Sequence, residues 1–185
     1  AATADGVGVA GIAPNARLMP VKVLGSNGVG THFEAAEAII YAANMGAGVI
    51  YIGFAGAGDS QLLSNAVAYA LSKGAIIVAP AGNDNGGTVN NYPASYPGVI
   101  SVSAVNNSGT IASLSTRSTY ISLAAPGVAV LSTARGNLYQ SASGTSLAAA
   151  HVAGVFTMLA GQPQFLNQPT LLRTALLGSA LDMGA

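Results

Sequence analysis

The chain has 185 residues, enough for one domain with a buried core. Apolar residues make up 51% of it, charged residues only 6%, and the net charge is zero. With no cluster of Lys and Arg, it lacks the basic footprint that nucleic-acid binding needs. No apolar run approaches the roughly 20 residues of a membrane span, and the lack of cysteine excludes disulfides and thiolate metal sites.

The first half alternates short β-branched runs with alanine-rich helical stretches. Residues 17–24 are predicted to form a strand, residues 33–45 a helix that Gly46 ends, and residues 49–52 a second strand. The next helix is expected to begin after Ser60, a typical N-cap, and to end at Gly74.

Continuous apolar runs follow at residues 75–79 and 99–104, which fit parallel strands buried on both faces. The alternation of such strands with helices predicts right-handed βαβ units. The expected fold is therefore α/β, in three layers, with a mostly parallel sheet and helices on both faces. The second half is predicted to add strands near residues 121–123 and 128–133, then helices at about 145–159 and 170–177.

Residues 140–154 read QSASGTSLAAAHVAG. Gly144 permits a tight turn, and Ser146 then lies at a helix start, where unpaired N–H groups and the positive end of the helix dipole converge. Such a place favours negative charge developing beside the hydroxyl, as acyl transfer requires. Taken alone, the serine is more simply an N-cap.

Five ordered segments, at residues 9–24, 78–85, 92–105, 124–133 and 140–154, resemble those of the subtilisin-like serine proteases, or subtilases. The resemblance implies that residues 1–185 are a partial subtilisin-like catalytic domain, its C-terminal two-thirds, truncated at both ends. It also implies that Ser146 is the nucleophile and that Asn83 is the side-chain donor of the oxyanion hole, paired with the Ser146 backbone N–H. Without that context, Asn83 is an ordinary turn residue.

The resemblance also implies where substrate binds. Residues 25–30 and 53–56 correspond to two edges that sandwich an extended peptide as an added strand, and the backbone after residue 79 to one wall of the primary specificity pocket. In place of the family's usual Ser-Leu-Gly-Gly, the second edge here is Gly-Phe-Ala-Gly, which adds bulk at the mouth of that pocket. The implied substrate-binding residues are Gly28, Gly30, Gly53, Phe54, Ala55, Ala81 and Gly82.

A serine nucleophile needs a general base, and the base needs an orienting carboxylate. The family's Asp and His-Gly-Thr segments have no counterpart in these 185 residues. His151 follows Ser146 by five residues on the same helix, so it is expected to point away and to be structural; His32, near the cleft rim, is an alternative base. Three functions stay open: an endopeptidase of which this chain is a portion, an esterase acting on activated esters, and a non-catalytic peptide-binding or scaffold protein.

Residues 4–9 align with a loop that binds calcium in some relatives, where Asp5 is the one side-chain ligand available, although a plain turn at Asp5 and Gly6 is the simpler explanation. No other cofactor is expected. A missing strand and helix would expose apolar surface, so self-association or cover by an N-terminal segment is expected. The resemblance further implies an extracellular, secreted protein acting on peptides or esters.

Overall fold

Four parallel strands form the central sheet of the structure, a computed structural model that describes residue 6 and residues 8–182. They lie side by side in chain order. The strands are β1 (Val49–Tyr51), β2 (Ile76–Pro80), β3 (Ile100–Val105) and β4 (Leu123–Pro126). The register places Ile50 opposite Ile77, and Val78 opposite Ile100.

Helices cover both faces of this sheet. The helices α1 (His32–Asn44) and α2 (Gln61–Ser72) pack with Ile77 and Ala79 in one core, while α3 (Thr145–Ala160) and α4 (Pro169–Ser179) pack with Ile76 and Val78 in the other. Alternate residues of β2 therefore enter opposite cores, as expected of a strand buried on both faces. The three-layer α/β prediction is confirmed.

Local sequence signals set the ends of the first two helices. Thr31 caps α1 in a capping box, in which its hydroxyl accepts from the Glu34 N–H and the Glu34 carboxylate accepts from the Thr31 N–H. Ser60 caps α2, and Gly74 follows it with a φ of +85°, a value that glycine adopts without strain.

One expectation for the β-structure is wrong, and another is displaced by two residues. Residues 17–24 form no strand, because within the described residues β1 is the sheet edge and no strand hydrogen-bonds this segment, which leaves Leu18 86% exposed. The strand expected near residues 121–123 begins only at Leu123. An antiparallel hairpin of β5 (Val130–Ala134) and β6 (Leu138–Ala142) contains a strand that the sequence did not indicate, since every side chain of β6 is exposed and no apolar alternation marks it.

Candidate active site

Ser146 is the second residue of α3, which begins directly after Gly144. Its side chain is half-buried, and its backbone N–H is among the first-turn groups that have no acceptor within the helix. The site is thus a hydroxyl beside a free N–H donor at the positive end of a 16-residue helix.

Thr145 fixes the orientation of the Asn83 side chain. The backbone N–H and the hydroxyl of Thr145 both donate to Asn83 Oδ1, each at 3.0 Å. Thr145 Oγ1 in turn accepts from the Gly82 N–H at 3.2 Å, and the residue is fully buried. Because Oδ1 is held by two donors, the Nδ2 amide of Asn83 must face the other way. Sequence reasoning missed this role, since a threonine at a helix start shows no sign of it.

Three polar atoms border one small space beside Gly144. A methyl group built on Gly144 would lie 3.4 Å from Ser146 Oγ, 3.6 Å from Asn83 Nδ2 and 3.9 Å from the Ser146 backbone nitrogen. The predicted pair Ser146 and Asn83 is therefore brought together around a space that only a glycine leaves open. Two N–H donors aimed at such a space can stabilise an oxygen that becomes negatively charged there.

A polar network supports the loop that carries Asn83. Asp84 Oδ2 accepts from Asn91 Nδ2 at 2.5 Å and from Thr116 Oγ1 at 2.7 Å. Gly82 is backed against this network at a φ of +111°, where a side chain would collide with the Asn91 amide. The predicted pocket residues Ala81 and Gly82 are both buried directly after β2, so packing and the polar network restrain the start of the loop that carries Asn83.

A cleft of about 220 Å³ lies between the two predicted peptide-binding edges. Gly28 and Gly30 line one side of it, and Phe54 and Ala55 the other. Gly53 is not among the residues that line the cleft, and it lies against the side chain of Tyr51. Four of the five residues expected on these edges therefore share one cleft.

Neither histidine hydrogen-bonds the Ser146 hydroxyl. His151 Nδ1 lies 2.9 Å from the Leu147 carbonyl oxygen one turn earlier, which fits the structural role expected of it. The imidazole of His32 lies against Gly58, where a methyl group would be 3.2 Å from its Cε1. The described residues thus bring the Ser146 hydroxyl, the Asn83 amide and the Ser146 backbone nitrogen together, and no histidine among them hydrogen-bonds that hydroxyl.

The candidate calcium ligand, Asp5, lies outside the described residues. Within the part of the chain that the structure describes, no three His, Cys, Asp or Glu side chains are grouped to hold a metal ion. No described helix is long and apolar enough to cross a membrane.

Comparison with known proteins identifies what this arrangement resembles. The Subtilase family model matches residues 1–184. The chain is 46% identical over 162 residues to the thermophilic serine proteinase of Bacillus sp. strain AK1, which covers 88% of this chain and 40% of that protein. It is 43% identical to thermitase of Thermoactinomyces vulgaris, with 88% of this chain and 58% of thermitase aligned.

The structure gives the same likeness. A protease from Pseudoalteromonas arctica PAMC 21717 superimposes with a TM-score of 0.91 at 33% identity, which covers 100% of this chain and 62% of that one. This chain therefore spans about half the length of the curated relatives it matches.

Proposed function

We propose, because the chain belongs to the subtilase family, that Ser146 is the nucleophile of a serine hydrolase whose oxyanion hole is formed by Asn83 Nδ2 and the Ser146 N–H. The observation that supports this most directly is the space beside Gly144. Ser146 Oγ and the nitrogen atoms of both donors lie within 3.9 Å of a methyl group built on that glycine. The Thr145 bonds add support, because they commit the amide end of Asn83 to that space.

In this proposal Ser146 Oγ attacks the carbonyl carbon of the substrate, and the C=O electron pair moves onto the oxygen. The two N–H groups stabilise that oxyanion, which then collapses and expels the leaving group to give an acyl-enzyme that water hydrolyses. The hydroxyl proton passes to a base, and the described residues offer none at Ser146. In subtilisin, binding and the oxyanion hole alone leave about 10³–10⁴-fold catalysis over water, a magnitude carried over from the family.

Two levels of activity follow. Activated esters have good leaving groups and need little help from a base, so we propose that these 185 residues act as an esterase. Amide cleavage needs the complete triad, so we propose that the whole protein is an endopeptidase whose base and orienting carboxylate come from further polypeptide. An extended peptide would lie between residues 25–30 and 53–56, with one side chain in the cleft lined by Phe54 and Ala55.

The test compares the chain with Ser146→Ala on p-nitrophenyl acetate and on a peptide p-nitroanilide. We expect turnover of the ester alone, abolished by Ser146→Ala. Ser143→Ala is the matched control. Ser143 lies three residues before Ser146, and its hydroxyl is occupied in accepting a hydrogen bond from the Ala129 N–H. Ester turnover that survives in Ser146→Ala would refute the proposed nucleophile, and peptide cleavage would reveal a base elsewhere in the chain.

We also propose that the open edge of β1 is covered in the working protein, by a second copy or by a further segment. Among the described residues, β1 pairs with β2 alone, and unpaired strand edges attract further strands. Light scattering at micromolar concentration should show association, and a monomer would count against a second copy. Secretion and a calcium site at Asp5 remain predictions from the family resemblance.

A further inference from the structure

Tyr51 contacts the backbone of the nucleophile. Its hydroxyl donates to the carbonyl oxygen of Ser146 at 3.0 Å, across 95 residues of sequence. Tyr51 is the last residue of β1, at the sheet edge, and is 43% exposed. This bond joins the edge of the sheet to the first turn of α3.

The neighbouring glycine makes room for this contact. A methyl group on Gly53 would lie 3.0 Å from Tyr51 Oη, 3.2 Å from its Cε1 and 3.3 Å from its Cζ. The ring therefore lies across the backbone of the first residue of the edge at residues 53–56. Any side chain at residue 53 would require the Tyr51 ring to shift by a few tenths of an ångström.

The Tyr51 hydroxyl is suited to be a lasting donor. Partial burial raises the pKa of Tyr51 above its ordinary value of 10, so the phenol keeps its proton through neutral and mildly alkaline pH. A helical carbonyl has two lone pairs and uses one within the helix, so the Ser146 carbonyl can accept the second bond.

We propose that Tyr51 is a positioning residue that fixes the Ser146 backbone relative to the substrate-binding edge at residues 53–56. The bond sets how far Ser146 Oγ lies from a carbonyl held on that edge. Reaction rates are sensitive to such offsets, because a displacement of about 1 Å can cost on the order of 10²-fold. This inference rests on the proposed function of Ser146.

The test compares Tyr51→Phe with Tyr69→Phe. The control removes a similar phenol bond, from Tyr69 to Asn44 Oδ1 at 2.6 Å, on an element remote from Ser146. The first measurement is the single-turnover rate constant for acylation by p-nitrophenyl acetate, whose amplitude separately reports the folded fraction. The second is hydrogen exchange of the amides of residues 146–148, compared with those in the middle of α3.

We expect Tyr51→Phe to lower the acylation rate constant about three- to tenfold, as loss of one ordinary hydrogen bond would. The amplitude and KM should stay within twofold, and exchange in the first turn of α3 should accelerate; Tyr69→Phe should change none of these.

Unchanged exchange at residues 146–148 overturns the proposal, and so does an unchanged rate constant in a chain whose parent is active. A parent with no Ser146-dependent acylation overturns the proposed function instead, and exchange alone then decides whether Tyr51 fixes this turn.

Discussion

Gly144→Ala should block the oxyanion hole while leaving the fold intact. The φ of Gly144 is 163°, an extended value that alanine adopts freely, and the added methyl group meets its nearest neighbours at 3.4–3.9 Å, ordinary van der Waals distances. The free energy of unfolding of the variant should therefore lie within about 1 kcal/mol of its parent's. Alanine also lowers the conformational entropy of the unfolded chain, which favours the folded state. For a chain of this length that is a shift in Tm of less than about 4 °C.

The same methyl group would occupy the space between Ser146 Oγ and Asn83 Nδ2. Loss of one oxyanion donor costs about 10²–10³ in turnover, a figure measured on subtilisin and carried over from the family, and we expect a loss of that order. Stopped-flow acylation by p-nitrophenyl acetate measures it, with Gly48→Ala as the control because a methyl group there meets nothing within 4 Å. Acylation of Gly144→Ala within threefold of its parent, at unchanged Tm, would refute the location of the hole.

Three further outcomes are expected. Thr145→Val removes one hydrogen bond to Asn83 and leaves the buried Gly82 N–H without its acceptor, so the free energy of unfolding measured in urea should fall by about 1–3 kcal/mol and acylation should slow. Thr145→Ser should restore both stability and rate. A wild-type acylation rate in the valine variant would contradict the role given to the hydroxyl. Gly82→Ala should lower the free energy of unfolding by about 2–4 kcal/mol in the same assay, because it adds backbone strain and a collision with the polar network. Gly86→Ala has a similar φ of +82° but open space around it, so it should lower that free energy by only about 1 kcal/mol. Equal losses in the two variants would refute the packing argument. Burial raises the pKa of Tyr96 from 10 to about 12, so the stability that the protonated phenol contributes is complete below pH 10 and is lost as the pH rises toward 12. The Tm of Tyr96→Phe should therefore fall less steeply above pH 10 than the Tm of the parent. Parallel falls in Tm would count against this effect of Tyr96.

The sequence predicted the layers better than the contacts of the site. Helix ends at Thr31, Ser60 and Gly74 follow local capping rules, and β2 and β3 are apolar enough to be recognised without a partner. The two failures have different causes. Residues 17–24 have no strand partner among the described residues, and β6 exposes every side chain, so that no apolar alternation marks it.

The site divides in the same way. Ser146 and Asn83 stand in recognisable local patterns, so both could be identified as candidates. Tyr51 and Thr145 could not, because their parts in the site depend on bonds that span 95 and 62 residues. A tyrosine in a short strand and a threonine at a helix start have many uses, and only the packed chain selects between them.

The bonds between Thr145 and Asn83 have a consequence for how the protein folds. They close a loop of 62 residues, and that loop contains β3, β4 and the hairpin. Long-range closures of this kind lose chain entropy before the contacts that offset it have formed, so they tend to complete late. Asn83 and Ser146 can therefore meet only after α3 has docked on the sheet, and the rate at which Ser146 becomes reactive during refolding would time the last stage of assembly.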